Sequence, residues 1–268
     1  MRMKRDSFIG IFDSGIGGLT VLKEVIRILP FENLIYLGDT ARVPYGIRSP
    51  ETVIRYSFEC AQFLLNQNIK ILVIACNTAS AVAITELKKK IPIPVIGVIE
   101  PGAIAAVRAT RNKRIGIIGT QATIMSNAYQ RAIKEINEEI VVIGTPCPLF
   151  VPLVEEGWID GTVTNLIAER YLSGLKNQDV DTVVLGCTHY PLLKDVIQQV
   201  MGKDIVLIDS AIETAKIVSK VLLKEGLTRD QNNEQIIKFF VTDSPERFIE
   251  VGERFLKRKI ENIEKISL

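Results

Sequence analysis

The sequence predicts an α/β protein made of two similar α/β domains with mainly parallel sheets, facing each other across a cleft. Two observations carry this. Strand-like and helix-like segments alternate along the 268 residues, as in a βα repeat with right-handed crossovers. Two near-duplicate units, Ile71-Leu-Val-Ile-Ala-Cys76-Asn77-Thr78 and Thr182-Val-Val-Leu-Gly-Cys187-Thr188-His189, each run from an apolar stretch through a small residue to a cysteine.

Continuous β-branched runs read as strands buried on both faces, at 8–12, 33–37, 69–75 and 95–98. Helical patterns fall between them at 18–28, 51–67 and 79–90, the last ending in Lys88-Lys89-Lys90, which complements a helix dipole. The rhythm repeats with strands at 114–118, 140–143, 182–185 and 205–208 and helices at 123–136, 161–175 and 191–201. A boundary is expected near 98–102, where a strand meets Ile99-Glu100-Pro101-Gly102. The tail reads as a helix (211–225), a strand (237–242) and a terminal helix (245–263) that return to the first domain. The expected division is therefore 1–98 plus 211–268, and 99–210.

A chain that is 47% hydrophobic and 24% charged belongs with globular proteins. A net charge of +2, with cations scattered singly, argues against nucleic acid or an anionic membrane surface as partner. No run approaches the roughly 18 apolar residues of a membrane span. Basic residues at 1–5 mimic the start of a signal peptide, but the apolar stretch behind them breaks at Asp13-Ser14-Gly15. A cytoplasmic address is expected, where disulfides are rare. The four cysteines (60, 76, 147 and 187) lack metal-ligand spacing, and with one histidine no metal site is expected. Cys60 reads as a small core hydrophobe in a helix, and Cys147, between two prolines, as structural.

Cys76 and Cys187 fall at strand C-terminal ends just before helices, where open α/β sheets bind ligands and where helix N-termini lower a thiol's pKa. Gly15-Ile-Gly17-Gly18 also follows a strand and opens a helix, but Thr20 stands where a dinucleotide fingerprint needs glycine, despite Asp39 at the ribose distance. No Gly-Lys-Ser/Thr makes it a P-loop, which leaves a tight turn whose N–H groups can hold a carboxylate. His189, two residues past Cys187, reads either as a capping or core histidine or as a group that tunes the thiol. Tyr45, in Pro44-Tyr45-Gly46, reads equally as an anchor for a turn or as a substrate contact.

Two thiols from two domains do not suit a hydrolase, which needs one nucleophile and one base. A redox pair lacks CxxC proximity. Inverting a carbon centre by deprotonation fits better, because it needs a base on one face, an acid on the other, and an exchange of roles in reverse. Asp13 and His189 are the neighbours placed to hold charge beside Cys76 and Cys187.

The motifs Phe12-Asp13-Ser14-Gly15-Ile-Gly17-Gly18-Leu-Thr20, Pro44-Tyr45-Gly46, Ala75-Cys76-Asn77-Thr78-Ala79 and Gly186-Cys187-Thr188-His189-Tyr190-Pro191-Leu192 resemble, in order, those of the cofactor-independent aspartate/glutamate racemases. The aspartate branch typically carries Glu after the second Cys-Thr, so His189 points to the glutamate branch. The resemblance implies a two-base enzyme that interconverts L- and D-glutamate for peptidoglycan, without pyridoxal phosphate or metal. It implies that Cys76 deprotonates the D-isomer and Cys187 the L-isomer. Asp13, His189 and Glu155 would assist; the neighbouring Glu156 competes for the last role. Ser14, Tyr45, Gly46, Asn77, Thr78 and Thr188 would hold substrate with Asp13 and His189, and Thr120 joins them by internal symmetry. A homodimer is expected. A racemase of the same family for aspartate, another amino acid or a hydantoin, or a non-catalytic amino-acid binder on the same scaffold, is the alternative.

Overall fold

A computed structural model describes residues 4–230 and 234–268; the first residues of the basic N-terminal run lie outside it. In chain order the elements are β1 (Phe8–Asp13), α1 (Leu19–Ile28), β2 (Leu34–Gly38), α2 (Pro50–Asn66), β3 (Ile69–Ile74), α3 (Asn77–Lys90), β4 (Val95–Gly97) and α4 (Ile99–Ala109). They continue as β5 (Arg114–Gly119), α5 (Gln121–Met125), α6 (Ala128–Ile136), β6 (Val141–Pro146), α7 (Phe150–Glu155), α8 (Gly161–Lys176), β7 (Thr182–Gly186), α9 (Lys194–Met201) and β8 (Val206–Asp209). Last come α10 (Ser210–Lys224), β9 (Ile237–Val241), α11 (Pro245–Leu256) and β10 (Ile263–Lys265).

The strands form two sheets, ordered β10-β9-β2-β1-β3-β4 and β6-β5-β7-β8. Every pairing is parallel. The apolar runs behave as predicted: β2, β3 and β7 are buried at every residue, as strands covered on both faces must be. One apolar cluster joins the sheets, containing Ile11 and Val73 of the first and Ile118 and Leu185 of the second. The chain after α10 adds two strands to the first sheet, with β9 beside β2.

The segment 98–102 opens α4, whose Pro101 sits in the first turn, where the missing N–H costs nothing. Three local expectations are corrected. The helix read over 123–136 is two, split by Asn127 in the left-handed region at φ 54°, a conformation asparagine tolerates. The segment 191–201 opens as a 3₁₀ turn at Tyr190–Leu193 before α9. The terminal helix stops at Leu256, because Lys257 turns to φ 60°, and Ile263–Lys265 pairs with β9 instead of continuing it.

At the start of β3, the end away from the strand tips, Lys70 is fully buried. Its Nζ donates to the Glu32 carboxylate and to the carbonyls of Arg5 (2.5 Å) and Leu227 (2.9 Å). Glu32 in turn accepts the Arg229 N–H at 2.8 Å. A buried cation needs this complete set of partners, and here they tie β3 to three separate connecting segments.

Candidate active site

Parallel pairing brings the C-terminal ends of the strands together. The ends of β1 and β3, the loop after β2, and the ends of β5 and β7 line one cavity of about 330 Å³. Cys76 and Cys187 both line it, with Asn77, Thr78, Thr188 and Glu155. Among the described residues no Lys or Arg does so.

On the first sheet's side, Asp13 ends β1 and is fully buried. Its Oδ2 accepts the Gly15 N–H at 2.9 Å, and Oδ1 has no partner in the protein. Burial raises its pKa, partly opposed by the His189 charge and by the N–H groups of Gly15 and Gly18. The glycine turn thus serves the chain's own carboxyl rather than an outside one. Cys76 caps α3, its Sγ accepting the Ala79 N–H at 3.4 Å and lying 3.6 Å from Ser14 Oγ. The helix was expected to lower this thiol's pKa. Instead burial, reinforced by the Asp13 charge, outweighs the N–H and Ser14 contacts and pushes it up to about 12, so the enclosed Cys76 is a thiol.

On the other side, Cys187 follows β7, with its Sγ 3.8 Å from His189 Nδ1. His189 Nε2 stands 3.0 Å from Glu155 Oε1, at the end of α7. Burial works to lower the His189 pKa, but its contacts with Cys187 and Glu155 prevail and lift it to about 10. Burial likewise works to raise Glu155, and the His189 contact brings it net below its usual value. Glu156 turns outward to Arg247 at 3.0 Å, both exposed. The ring of Phe255, from α11, packs edge-on against His189 at 5.3 Å.

Around the thiols the loops are fitted closely. A Cβ on Gly17 would stand 2.2 Å from Thr188 Oγ1 and 2.5 Å from His189 Nδ1, and one on Gly46 2.8 Å from Thr120 Cβ. Only glycine permits these approaches. Thr78 and Thr120, from opposite sheets, share a hydroxyl contact at 3.0 Å, and Thr123 joins both. Tyr45 is buried, and its hydroxyl donates to Asp39, so the anchoring role belongs to the side chain and only its main chain is free for a ligand. Asp39 also accepts from Arg42 Nε (2.6 Å) and Thr242 Oγ1 (3.0 Å), which commits it to the structure. Cys60 meets Tyr45 and Arg42 away from the cavity, and Cys147 packs in the core. Asn77 accepts a 2.7 Å hydrogen bond from Tyr129, a residue that no sequence motif singled out.

Residues 9–218 match the profile of the Asp/Glu/Hydantoin racemase family. The chain belongs to this family. A protein named glutamate racemase in Geobacter metallireducens is 57% identical over 260 residues, covering 97% of this chain and 96% of the relative. A solved glutamate racemase isoform from Bacillus anthracis superposes with a TM-score of 0.95 at 42% identity, covering 98% of each chain. That from Francisella tularensis, solved with D-glutamate, gives 0.93 at 39% identity, again over 98% of each. Of the residues expected at the site, all but Asp13 line the one cavity, and Asp13 is bonded to Gly15 of its wall.

Proposed function

We propose that this chain is a glutamate racemase that interconverts L- and D-glutamate through two cysteine bases and supplies D-glutamate for peptidoglycan in the cytoplasm. The observation that carries the reading is the pair of thiols, Cys76 and Cys187, on one cavity at the ends of strands from different sheets. The names of the relatives support glutamate as substrate. We also take residues 1–98 with 211–268, and residues 99–210, as the two domains, with a homodimer as the assembly.

With L-glutamate bound, the Cys187 thiolate removes the α-proton and the Cys76 thiol delivers its own to the opposite face. The products are D-glutamate, a Cys187 thiol and a Cys76 thiolate. The reverse reaction exchanges the roles. A thiol held near pKa 12 keeps its proton until a carbanion forms, which suits Cys76 as the acid of the L-to-D direction. The His189 imidazolium, paired with Glu155, supplies the counter-charge for the Cys187 thiolate. On the other side, the substrate ammonium beside buried Asp13 brings positive charge to the Cys76 thiolate. Asn77, Thr78, Thr120, Thr188 and Ser14 offer neutral hydrogen-bond donors to the carboxylates, with the main chain at Tyr45 and Gly46.

Incubation with L-glutamate in D₂O tests the reading. Deuterium should enter the α-position and D-glutamate should accumulate to near equality, with no need for added pyridoxal phosphate or metal. Absence of α-exchange on glutamate, or faster exchange on aspartate, would overturn it.

A further inference from the structure

The buried tyrosine Tyr129 belongs to neither repeated unit, yet it touches both. Its ring fills the space left by two glycines: a Cβ on Gly102 would stand 3.1 Å from Cε1, and one on Gly186 3.2 Å from Cε2. Gly186 immediately precedes Cys187. At the far end of the ring the hydroxyl lies 2.7 Å from Asn77 Oδ1, and Asn77 immediately follows Cys76. The amide has a further property. Its Nδ2 is buried and has no hydrogen-bond partner in the protein, although Asn77 lines the cavity. A buried amide donor left alone is costly unless something else occupies it.

We infer that Tyr129 is a positioning residue for substrate binding: by donating to Asn77 Oδ1 it fixes which end of the amide faces the protein, and so presents Nδ2 as a donor to a substrate carboxylate. The inference rests on the racemase reading for the identity of that carboxylate. Burial raises the Tyr129 pKa, so the phenol keeps its proton and remains a donor. An amide has two nearly isosteric ends, and packing alone does not choose between them. Oδ1 in place of Nδ2 would turn an acceptor toward an anion. Tyr129 removes that choice from a site that, among the described residues, has no lysine or arginine in its lining.

The test is a double-mutant cycle of Tyr129→Phe and Asn77→Ala, reading the KM and kcat of racemisation together with the Kd for glutamate by titration calorimetry. Tyr129→Phe should raise KM and Kd about tenfold, as expected for a lost hydrogen bond to a charged group, while kcat changes less than threefold. In the Asn77→Ala background the same substitution should add nothing. A merely structural role would lower kcat or melting temperature with KM and Kd unchanged, or act equally in both backgrounds, and either result overturns the inference. Asn77→Asp keeps an acceptor for Tyr129 but replaces the donor with a charge, so it should bind glutamate no better than Asn77→Ala. If the wild-type protein binds glutamate without exchanging its α-proton, the racemase reading fails while the cycle in Kd still decides the role of Tyr129. If it does not bind glutamate at all, both fail.

Discussion

His189 and Glu155 are joined edge to edge, Nε2 3.0 Å from Oε1, while the opposite ring nitrogen of His189 faces Cys187. The residue after the second cysteine-threonine pair therefore has a carboxylate behind it and a thiol in front. Phe255 from α11 closes the side of the ring. This arrangement turns the lone histidine into a fixed cation.

The pair should leave a signature in stability against pH. The folded protein holds the His189 proton up to about pH 10, whereas a free histidine releases it near 6.5. The stabilisation is complete below 6.5 and is lost as pH climbs toward 10. Glu155→Gln should therefore cost about 1–3 kcal/mol near pH 6, and the gap from wild type should narrow with rising pH. Denaturant melts of both proteins across that window check it, and a gap that widens would contradict the assignment.

The two neighbouring acids should separate cleanly. Glu155→Gln should lower kcat/KM for racemisation by roughly a hundredfold, in the range of a lost acid–base partner. Glu156→Gln breaks only the exposed contact with Arg247, and exposed pairs contribute about 0–1 kcal/mol, so its rate should stay within about twofold. Equal losses in both variants would remove Glu155 from the site.

The thiols should divide labour by enantiomer. Cys76→Ser and Cys187→Ser should each abolish racemisation, since a serine hydroxyl is too weak an acid to serve as the base. A β-chloro amino acid needs one deprotonation before chloride leaves. Cys76→Ser should still eliminate from the L-form through Cys187, and Cys187→Ser from the D-form through Cys76. Equal residual elimination from both isomers in either variant speaks against two bases.

Gly17→Ala should damage the site more than the fold. Its Cβ would fall 2.2 Å from Thr188 Oγ1 and 2.5 Å from His189 Nδ1, so the second loop must move. Overpacking of this kind costs about 1–3 kcal/mol. Turnover should fall at least tenfold with the melting transition still cooperative; full activity would show the loops to be more loosely fitted.

Glu32→Gln probes the end remote from the cavity. It leaves the Lys70 cation buried beside carbonyls alone, and unpairing a buried ion pair costs about 3–5 kcal/mol. Turnover per folded molecule should be unchanged. A melting curve like that of wild type would mean that Lys70 finds another counter-charge.

The parallel sheets were legible because β-branched runs buried on both faces leave a pattern that few other structures share. The thiols were legible because each ends such a run. The helix at Ile99–Ala109 was hidden by Pro101-Gly102, which punctuate a sequence locally even where a first turn accepts them. The choice between Glu155 and Glu156 depends on which side of a single helical turn faces His189, and adjacent identical residues carry no signal of that. Tyr129 was invisible for another reason. Its partners Asn77, Gly102 and Gly186 are scattered in sequence and meet only in three dimensions. The raised pKa of Cys76 is also a property of enclosure, which local motif reading of a helix N-terminus omits.

Among the described residues the cavity lining holds no lysine or arginine, and its His189 cation is matched by Glu155, which has a kinetic consequence. Lysine and arginine at a site mouth draw anions from a distance and accelerate encounter, at the expense of sensitivity to salt. Without such a lure, capture of a dicarboxylate depends on collision at the mouth followed by short-range docking. Association should then be slow for a small ligand and nearly indifferent to ionic strength, and discrimination among anions should come from shape and hydrogen bonding after contact rather than from attraction before it.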